Sequence, residues 1–411
     1  MYLSVLCGFS TFRVTTKDTK EAVTLAMTAP LAAEQLRYFQ KQQNQIIDTI
    51  QQLVEIESPS DIKAAVDRLA TVLASRFSEL GGKVRAHSAE KFGNHLEIRF
   101  KSRARTSRPV LLLGHTDTVY PIGTISRMPF RVAKGRVWGP GVLDMKGGIA
   151  LMLHVVEALL AWSDAKLSRP ITIFLVSDEE VGSQSSRAIT EQLAREADAV
   201  LVLEPAHGLN GAVKTSRKGV GEYVLRVTGK AAHSGLDFEK GQSAVLELAR
   251  QILEIHKLVD MQRGITLNVG KITGGTRVNV VPAEASASID VRITRRQDAA
   301  EIERKLRALK PVNSNCKLQL TGGMNRPPME RSRAVATLYE KAISVAKQLG
   351  WALDEAAVGG GSDGNFTAAL GIPTLDGLGA VGEGAHAEHE SILISELPRR
   401  AALLAGLITA I

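Results

Sequence analysis

Apolar residues recur at helical spacing from Leu31 to Ile56, where Ile46, Ile47, Ile50, Leu53 and Val54 stand among Gln and Ala. Ser58-Pro59-Ser60 interrupts that pattern. Ser60 or Asp61 can cap a second helix, from about Ile62 to Leu80, which Gly81-Gly82 ends. The period then shortens to that of strands. Asn94–Phe100 alternates, whereas Val110–Leu113, Ile171–Val176 and Ala199–Leu203 are continuous apolar runs. Continuous runs mark strands covered on both faces. With helices such as Ile149–Trp162 between them, they predict an α/β fold: a mostly parallel sheet flanked by helices.

The pattern changes near Lys214. Glu222–Thr228 alternates, a helix follows from about Ser243 to His256, and alternating strands return at Ile265–Ile272 and Ala285–Ile293. A helix over about Asp298–Leu309 and a strand at Lys317–Leu320 complete the order strand, helix, strand, strand, helix, strand, the split βαβ or ferredoxin-like arrangement. After Pro327-Pro328 the helix–strand pattern resumes. The expected organisation is an α/β domain in two pieces, residues 1–213 and 324–411, around an inserted α+β domain, residues 214–323.

Composition narrows the function classes. Of 411 residues, 44% are apolar and 23% charged, which excludes wholesale disorder. No run of 18 uninterrupted apolar residues predicts a membrane span. Two cysteines, Cys7 and Cys316, cannot build a disulfide framework or a thiolate zinc site. The net charge of +8 raises a nucleic-acid partner. The chain lacks interleaved aromatics, a recognised motif and any dense basic run, so none is expected. Met1–Phe12 is mildly apolar without a basic n-region; an over-extended start fits better than a secretory signal, with Met27 an alternative start and the cytoplasm the expected location.

Candidate chemistry gathers where strands end, the place where open α/β sheets build sites. Leu111–Leu113 runs into His115-Thr116-Asp117, Ile171–Val176 into Asp178-Glu179-Glu180, and Val200–Leu203 into Glu204-Pro205. Asp144 lies in the glycine-rich Gly141–Gly148 stretch, and His386 in Gly384-Ala385-His386-Ala387-Glu388-His389-Glu390. Taken singly, a His-x-Asp is usually a local polar pair and an Asp-Glu-Glu a solvated turn. Together, histidines and carboxylates at buried strand ends must pair or bind a cation to offset desolvation. Nitrogen and oxygen donors without thiolates suit Zn²⁺, with Co²⁺ or Mn²⁺ as alternatives. There are more donors than one open zinc needs; two divalent ions about 3.5–4 Å apart, sharing a carboxylate, use them well.

These motifs, in this order, resemble the M20 family of di-zinc metallopeptidases, in particular its glutamate carboxypeptidase (carboxypeptidase G2-like) branch. The resemblance runs from about Leu53 to the C-terminus. It implies that His115, Asp144, Glu180, Glu204 and His386 are metal ligands, with Asp144 bridging. It further implies that Asp117 orients the His115 imidazole and that Glu179 is the general base. The family's aminopeptidases tend to carry Asp where Glu204 stands, so Glu leans toward a carboxypeptidase or deacylase. His389 is a competitor by residue type, but the match through Glu390 favours His386.

In the insertion, Gly229-Lys230-Ala231-Ala232-His233-Ser234-Gly235 resembles the family's dimerisation-domain motif, which implies a homodimer in which His233 reaches the partner subunit's active site. By itself the motif would read as a loop histidine capping a turn. Asn279 and Arg292 match substrate-carboxylate grips, and Gly360, in Gly359-Gly360-Gly361-Ser362, matches a backbone contact to substrate. Arg217-Lys218-Gly219 at the domain junction stays open between an acidic contact and a basic hinge. His87, His95, His154, His207 and His256 receive no role.

The expected activity is hydrolysis of an amide bond next to a free amino-acid carboxylate, releasing C-terminal glutamate from a peptide or N-acyl conjugate. The alternative is an N-acyl-amino-acid deacylase of the acetylornithine deacetylase or desuccinylase type. A metal-free binding or scaffold member of the family is the rival class, and the full set of competent ligands argues against it.

Overall fold

Six strands form the central sheet, in the order Lys83–His87, His95–Phe100, Ile171–Val176, Val110–His115, Ala199–Val202 and Thr374–Leu375. The computed structural model describes residues 29–103, 107–163 and 167–411; Cys7, the Met1–Phe12 reading and Met27 lie outside them. Val110–His115 is parallel to both of its neighbours, and Thr374–Leu375 is parallel to Ala199–Val202. Antiparallel pairing is confined to the Lys83–His87 side. Every residue of Val110–His115 and Ile171–Val176 is buried, as continuous apolar runs require. Their alternate side chains serve opposite faces: Val110 and Leu112 join one core, Leu111 and Leu113 the other. A fully buried leucine contributes about 1.5–3 kcal/mol relative to an exposed one, so this register is firmly set.

Two local expectations differ. The helix expected over Leu31–Ile56 is two, Ala29–Lys41 and Gln43–Val54, broken at Gln42. Ser60 does not cap the next helix, Lys63–Glu79, whose N-cap is Ile62 without a side-chain bond. The Ser60 hydroxyl instead donates to Asp117 Oδ2 at 2.7 Å, where it serves the site. The strand His95–Phe100 is buried at every position but Arg99. His95 and Glu97 are buried because His95 bonds Ser177 and Ser185, while Glu97 meets His87 at 2.7 Å and Arg99.

The helix Gly147–Trp162 is apolar almost all round and packs in the main core with the C-terminal helix Glu396–Ala410. Residues Val142–Trp162 are long and apolar enough to cross a membrane, but they are mostly buried within the protein, as a core helix is.

The second unit is an antiparallel four-stranded sheet, in the order Thr266–Gly274, Glu284–Ile293, Gly219–Thr228 and Lys317–Arg326. The helices Ala244–His256 and Arg296–Arg307 pack against it around a separate core that includes Tyr223, Leu225, Ile289, Ile302 and Leu306. Ser243 caps the first helix, accepting from the Leu246 amide at 3.2 Å. Strand Val213–Arg217 pairs in parallel with Glu355–Val358, next to this unit's entry.

Candidate metal centre

His115 ends its strand with Nδ1 2.9 Å from the Asp117 carbonyl oxygen and 3.5 Å from its carboxylate. With the Nδ1 proton donated there, the Nε2 lone pair is free to face the cluster. Asp117 is held in turn by Ser60 and by the Glu179 and Glu180 amides, at 3.3 and 3.2 Å. Glu179 and Glu180 open a one-turn helix, Glu179–Val181, directly after Ile171–Val176. Their neighbour Asp178 has a different task, accepting from Ser185 and Ser186 to pin the loop.

Asp144 stands between the two histidines. Its Oδ1 lies 3.0 Å from His115 Nε2, and its Oδ2 lies 3.4 Å from His386 Nε2. Each histidine has a glutamate on its own side: Glu204 Oε1 is 3.5 Å from His115 Nε2, and Glu180 Oε1 is 3.2 Å from His386 Nε2. Donor atoms of His115, Asp144 and Glu180 fall within 4.8 Å of one another, as do those of His115, Glu179 and Glu204. Of the two candidate histidines in the Gly384–Glu390 stretch, His386 therefore meets the cluster.

The electrostatics describe a cation-binding site. Burial pushes Glu204 up to about 7, with the Asp144 charge adding to it. Burial likewise raises Glu179 well above the carboxylate range, and Glu180 less so. Burial acts on Asp144 too, but bonds to His115 and His386 hold it well below the usual range. Bonds to Asp144 and Glu180 push His386 up to about 10. Glu180 Oε1 is buried without a hydrogen bond of good geometry. Burial thus disfavours the charged form of these acids, and Glu180 keeps an orphan oxygen, where a divalent cation would offset both; the nitrogen and oxygen donor set fits such an ion.

Comparison with known proteins decides the relationship. The description Peptidase family M20/M25/M40 matches residues 111–410. The chain belongs to this family. It is 30% identical over 373 residues to a carboxypeptidase G2 from Pseudomonas sp. (strain RS-16), covering 89% of each chain. It is 29% identical over 302 residues to an acetylornithine deacetylase from Salmonella arizonae, covering 69% of this chain and 77% of that one. Its fold is shared with aminopeptidase PepT from Bacillus cereus, at a TM-score of 0.76 and 22% identity over 90% of this chain and 98% of that one. The M20 metallo-carboxypeptidase Sso-CP2 from Sulfolobus solfataricus gives 0.72 and 18%, over 89% and 98%. As a member of family M20, the protein is a metal-dependent peptidase or amidohydrolase.

The expected substrate-binding residues have contacts of their own. His233 is exposed, and its Nδ1 accepts from the Gly235 and Leu236 amides, the turn-capping arrangement. Asn279 is exposed beside it, its carbonyl accepting from Ser234 at 3.0 Å. Arg292 is forked onto Asp290 and reaches the Gly359 carbonyl at 3.4 Å. The Gly360 carbonyl accepts from Arg217 at 3.2 Å.

Three further side chains stand at the centre: Arg326 and Glu390, to which the sequence assigned no role of their own, and Arg217, which it left open between an acidic contact and a basic hinge. Arg326 Nη2 lies 2.9 Å from Glu179 Oε1 and 3.1 Å from Asp363. Arg217 forks onto Asp376 and lies 3.6 Å from Glu204. The Glu390 carboxylate accepts from the amides of Gly141, Leu143 and Asp144 at 2.8, 2.7 and 2.9 Å, fixing the loop that carries Asp144. The available signals were slight: Arg326 precedes Pro327-Pro328, and Glu390 ends the His386 motif.

Proposed function

We propose that this enzyme hydrolyses an amide bond next to a free amino-acid carboxylate, releasing C-terminal glutamate from a peptide or N-acyl conjugate. The observation that carries the reading is the sorting of donors around Asp144: His115 with Glu204 on one oxygen, His386 with Glu180 on the other. That arrangement supports two divalent ions per chain, Zn²⁺ first, with Asp144 between them. Such ions supply Lewis acidity for the scissile carbonyl and acidify water to near neutral pH. A donor atom of Glu179 lies within 4.8 Å of those of His115 and Glu204; surplus to that pair, it suits a base that takes the water proton and passes it to the leaving amine. Arg326 fixes its carboxylate at 2.9 Å. Arg292, whose planar fork rests on Asp290, suits a substrate carboxylate that takes the place of Asp290, and Asn279 and Gly360 complete the proposed grip.

A second reading, an N-acyl-amino-acid deacylase, is favoured by the 29% identity to an acetylornithine deacetylase. Hydrolysis assays with N-acylated glutamate, aspartate, ornithine and alanine separate the two. Preference for glutamate is expected; preference for ornithine would replace the first reading with the second.

We also propose the division 1–213 and 324–411 around an inserted 214–323, on the strength of the separate core, and a homodimer through that insertion. The helix Ala244–His256 leaves Val245, Leu246 and Leu253 exposed at 41, 54 and 66%, and the strand Thr266–Gly274 is a free sheet edge among the described residues. Exposed apolar faces and open edges of this kind favour pairing. In such a dimer His233 would act at the partner subunit's centre. Light scattering should give twice the chain mass; a fully active monomer would remove that role.

A further inference from the structure

Arg217 is the last residue of Val213–Arg217, and its backbone exchanges hydrogen bonds with Met329 at 3.0 Å in each direction. Its side chain is only 4% exposed, so each of its donors must find a partner inside the protein. Nε and Nη2 fork onto the two oxygens of Asp376 at 2.8 and 2.7 Å. Nη1 donates to the carbonyls of Gly360 and Gly361, both at 3.2 Å. Nη2 also faces Glu204 Oε2 at 3.6 Å, an electrostatic contact rather than a hydrogen bond. Asp376 is saturated on its other side by the Ser362 hydroxyl at 2.5 Å.

One guanidinium therefore joins three things: the buried acid after the last sheet strand, the glycine loop, and a carboxylate of the metal cluster. Glu204 is divided between two neighbours, Oε1 toward His115 at 3.5 Å and Oε2 toward Arg217. A cation behind one oxygen leaves the other to face the centre. A buried Arg–Asp pair on its own is commonly just structural. Here the fork also spends two donors on loop carbonyls and turns toward Glu204, which a pair serving the core alone does not require.

We propose that Arg217 is a positioning residue: it orients Glu204 as the ligand on the His115 side of the centre and holds the Gly359–Gly361 loop in register with it. This rests on the metal-dependent reading above. The planar fork is essential, because a lysine ammonium supplies charge from a single point and cannot reach Asp376 and both carbonyls together.

The test uses the full chain, stripped with chelator and titrated with Co²⁺ while the visible absorption of the bound ion is followed. Outer partners of metal ligands are worth roughly 10–100-fold in affinity. R217M should weaken one of the two equivalents by that factor and alter its spectrum. R217K should restore part of the affinity, since charge returns beside Glu204, yet keep a raised KM, since the loop bonds stay broken. R217M that folds and binds both equivalents like the wild type, with the same spectrum, overturns this role alone. Wild-type protein that takes up no Co²⁺ overturns the metal reading and this role together. If R217M shows no cooperative thermal transition, S362A takes its place: it loosens Asp376 and leaves the guanidinium intact. Weakened Co²⁺ binding by S362A supports the role, and unchanged binding overturns it.

Discussion

Replacing Glu390 by glutamine changes one oxygen to an amide nitrogen and tests how the Asp144 loop is held. In the native chain Oε1 takes the Leu143 and Asp144 amides and Oε2 takes the Gly141 amide. Glutamine can keep two of these bonds through its carbonyl, but its nitrogen then faces the Gly141 N–H, donor against donor. The loss is one charge-assisted bond, about 1.5–3 kcal/mol, together with part of the cost of a buried unpaired amide. A destabilisation of about 2–4 kcal/mol is expected from the sum. Nearby Lys146 is also affected. Burial pushes its amine down to about 7, and the Glu390 and Glu57 charges oppose that; removing one of them favours the neutral amine further. Because the loop aims Asp144, affinity for Zn²⁺ should fall by roughly 10–100-fold. Urea denaturation and competitive metal titration of E390Q measure both quantities. The control is E388Q in the same stretch: its carboxylate side chain is 85% exposed and lies 3.6 Å from Arg127, so a change within about 0.5 kcal/mol is expected. If E390Q matches E388Q in stability and in metal affinity, the account of the loop is wrong.

Glu179→Gln should retain its metal while kcat falls by about 10²–10⁴-fold, the usual worth of a general base; unchanged kcat in a fully loaded variant removes Glu179 from that role. His154 is buried on the core helix with Thr49 3.0 Å from its Nε2, and burial, aided by the Arg76 charge, pushes it down to about 4. Its folded value lies below the unfolded one, so the unfolded chain binds more protons between them. Stability is complete above about pH 6.5 and declines as pH falls toward 4, by about 3 kcal/mol in total. H154Q should flatten denaturation free energies over that window, and an unaltered slope counts against the assignment. Chelation should abolish hydrolysis and lower the thermal midpoint, because bound ions stabilise only the folded state, and Zn²⁺ or Co²⁺ should restore both; activity that survives complete metal removal contradicts the proposed chemistry.

What the sequence made legible follows from range. Val110–His115, Ile171–Val176 and Ala199–Val202 announce themselves by local apolar runs, and the acids that follow each run sit where parallel strands end. His115, Glu179, Glu180 and Glu204 could be named as candidates for that reason, and the structure brings them together with Asp144 and His386. Ser60 was legible only as a helix cap, because its actual partner Asp117 is 57 positions away. The burial of His95 and Glu97 was not legible in the alternation of Asn94–Phe100, because alternation reports which residues share a side, not what covers it.

Arg326 was opaque and Arg217 undecided for the same reason, with partners 147 and 159 positions distant, and both lie where the chain passes between the two sheets. A short basic stretch beside glycine or proline reads as a solvated hinge until the fold closes over it. Closed, each crossing delivers one guanidinium to the carboxylates, Arg217 toward Glu204 and Arg326 onto Glu179. Protein cations thus meet the one glutamate that belongs to the His115 pair and the one that belongs to neither pair. Glu180 and Asp144 face histidines instead, and the Glu180 oxygen nearest His386 is left without a good hydrogen bond. The charge balance of the centre therefore has two sources within the chain, arginines and histidines. The net +8 of the chain is a poor guide to either. Held by side chains distant in sequence, the acidic cluster has the fixed geometry that the proposed hydrolysis requires.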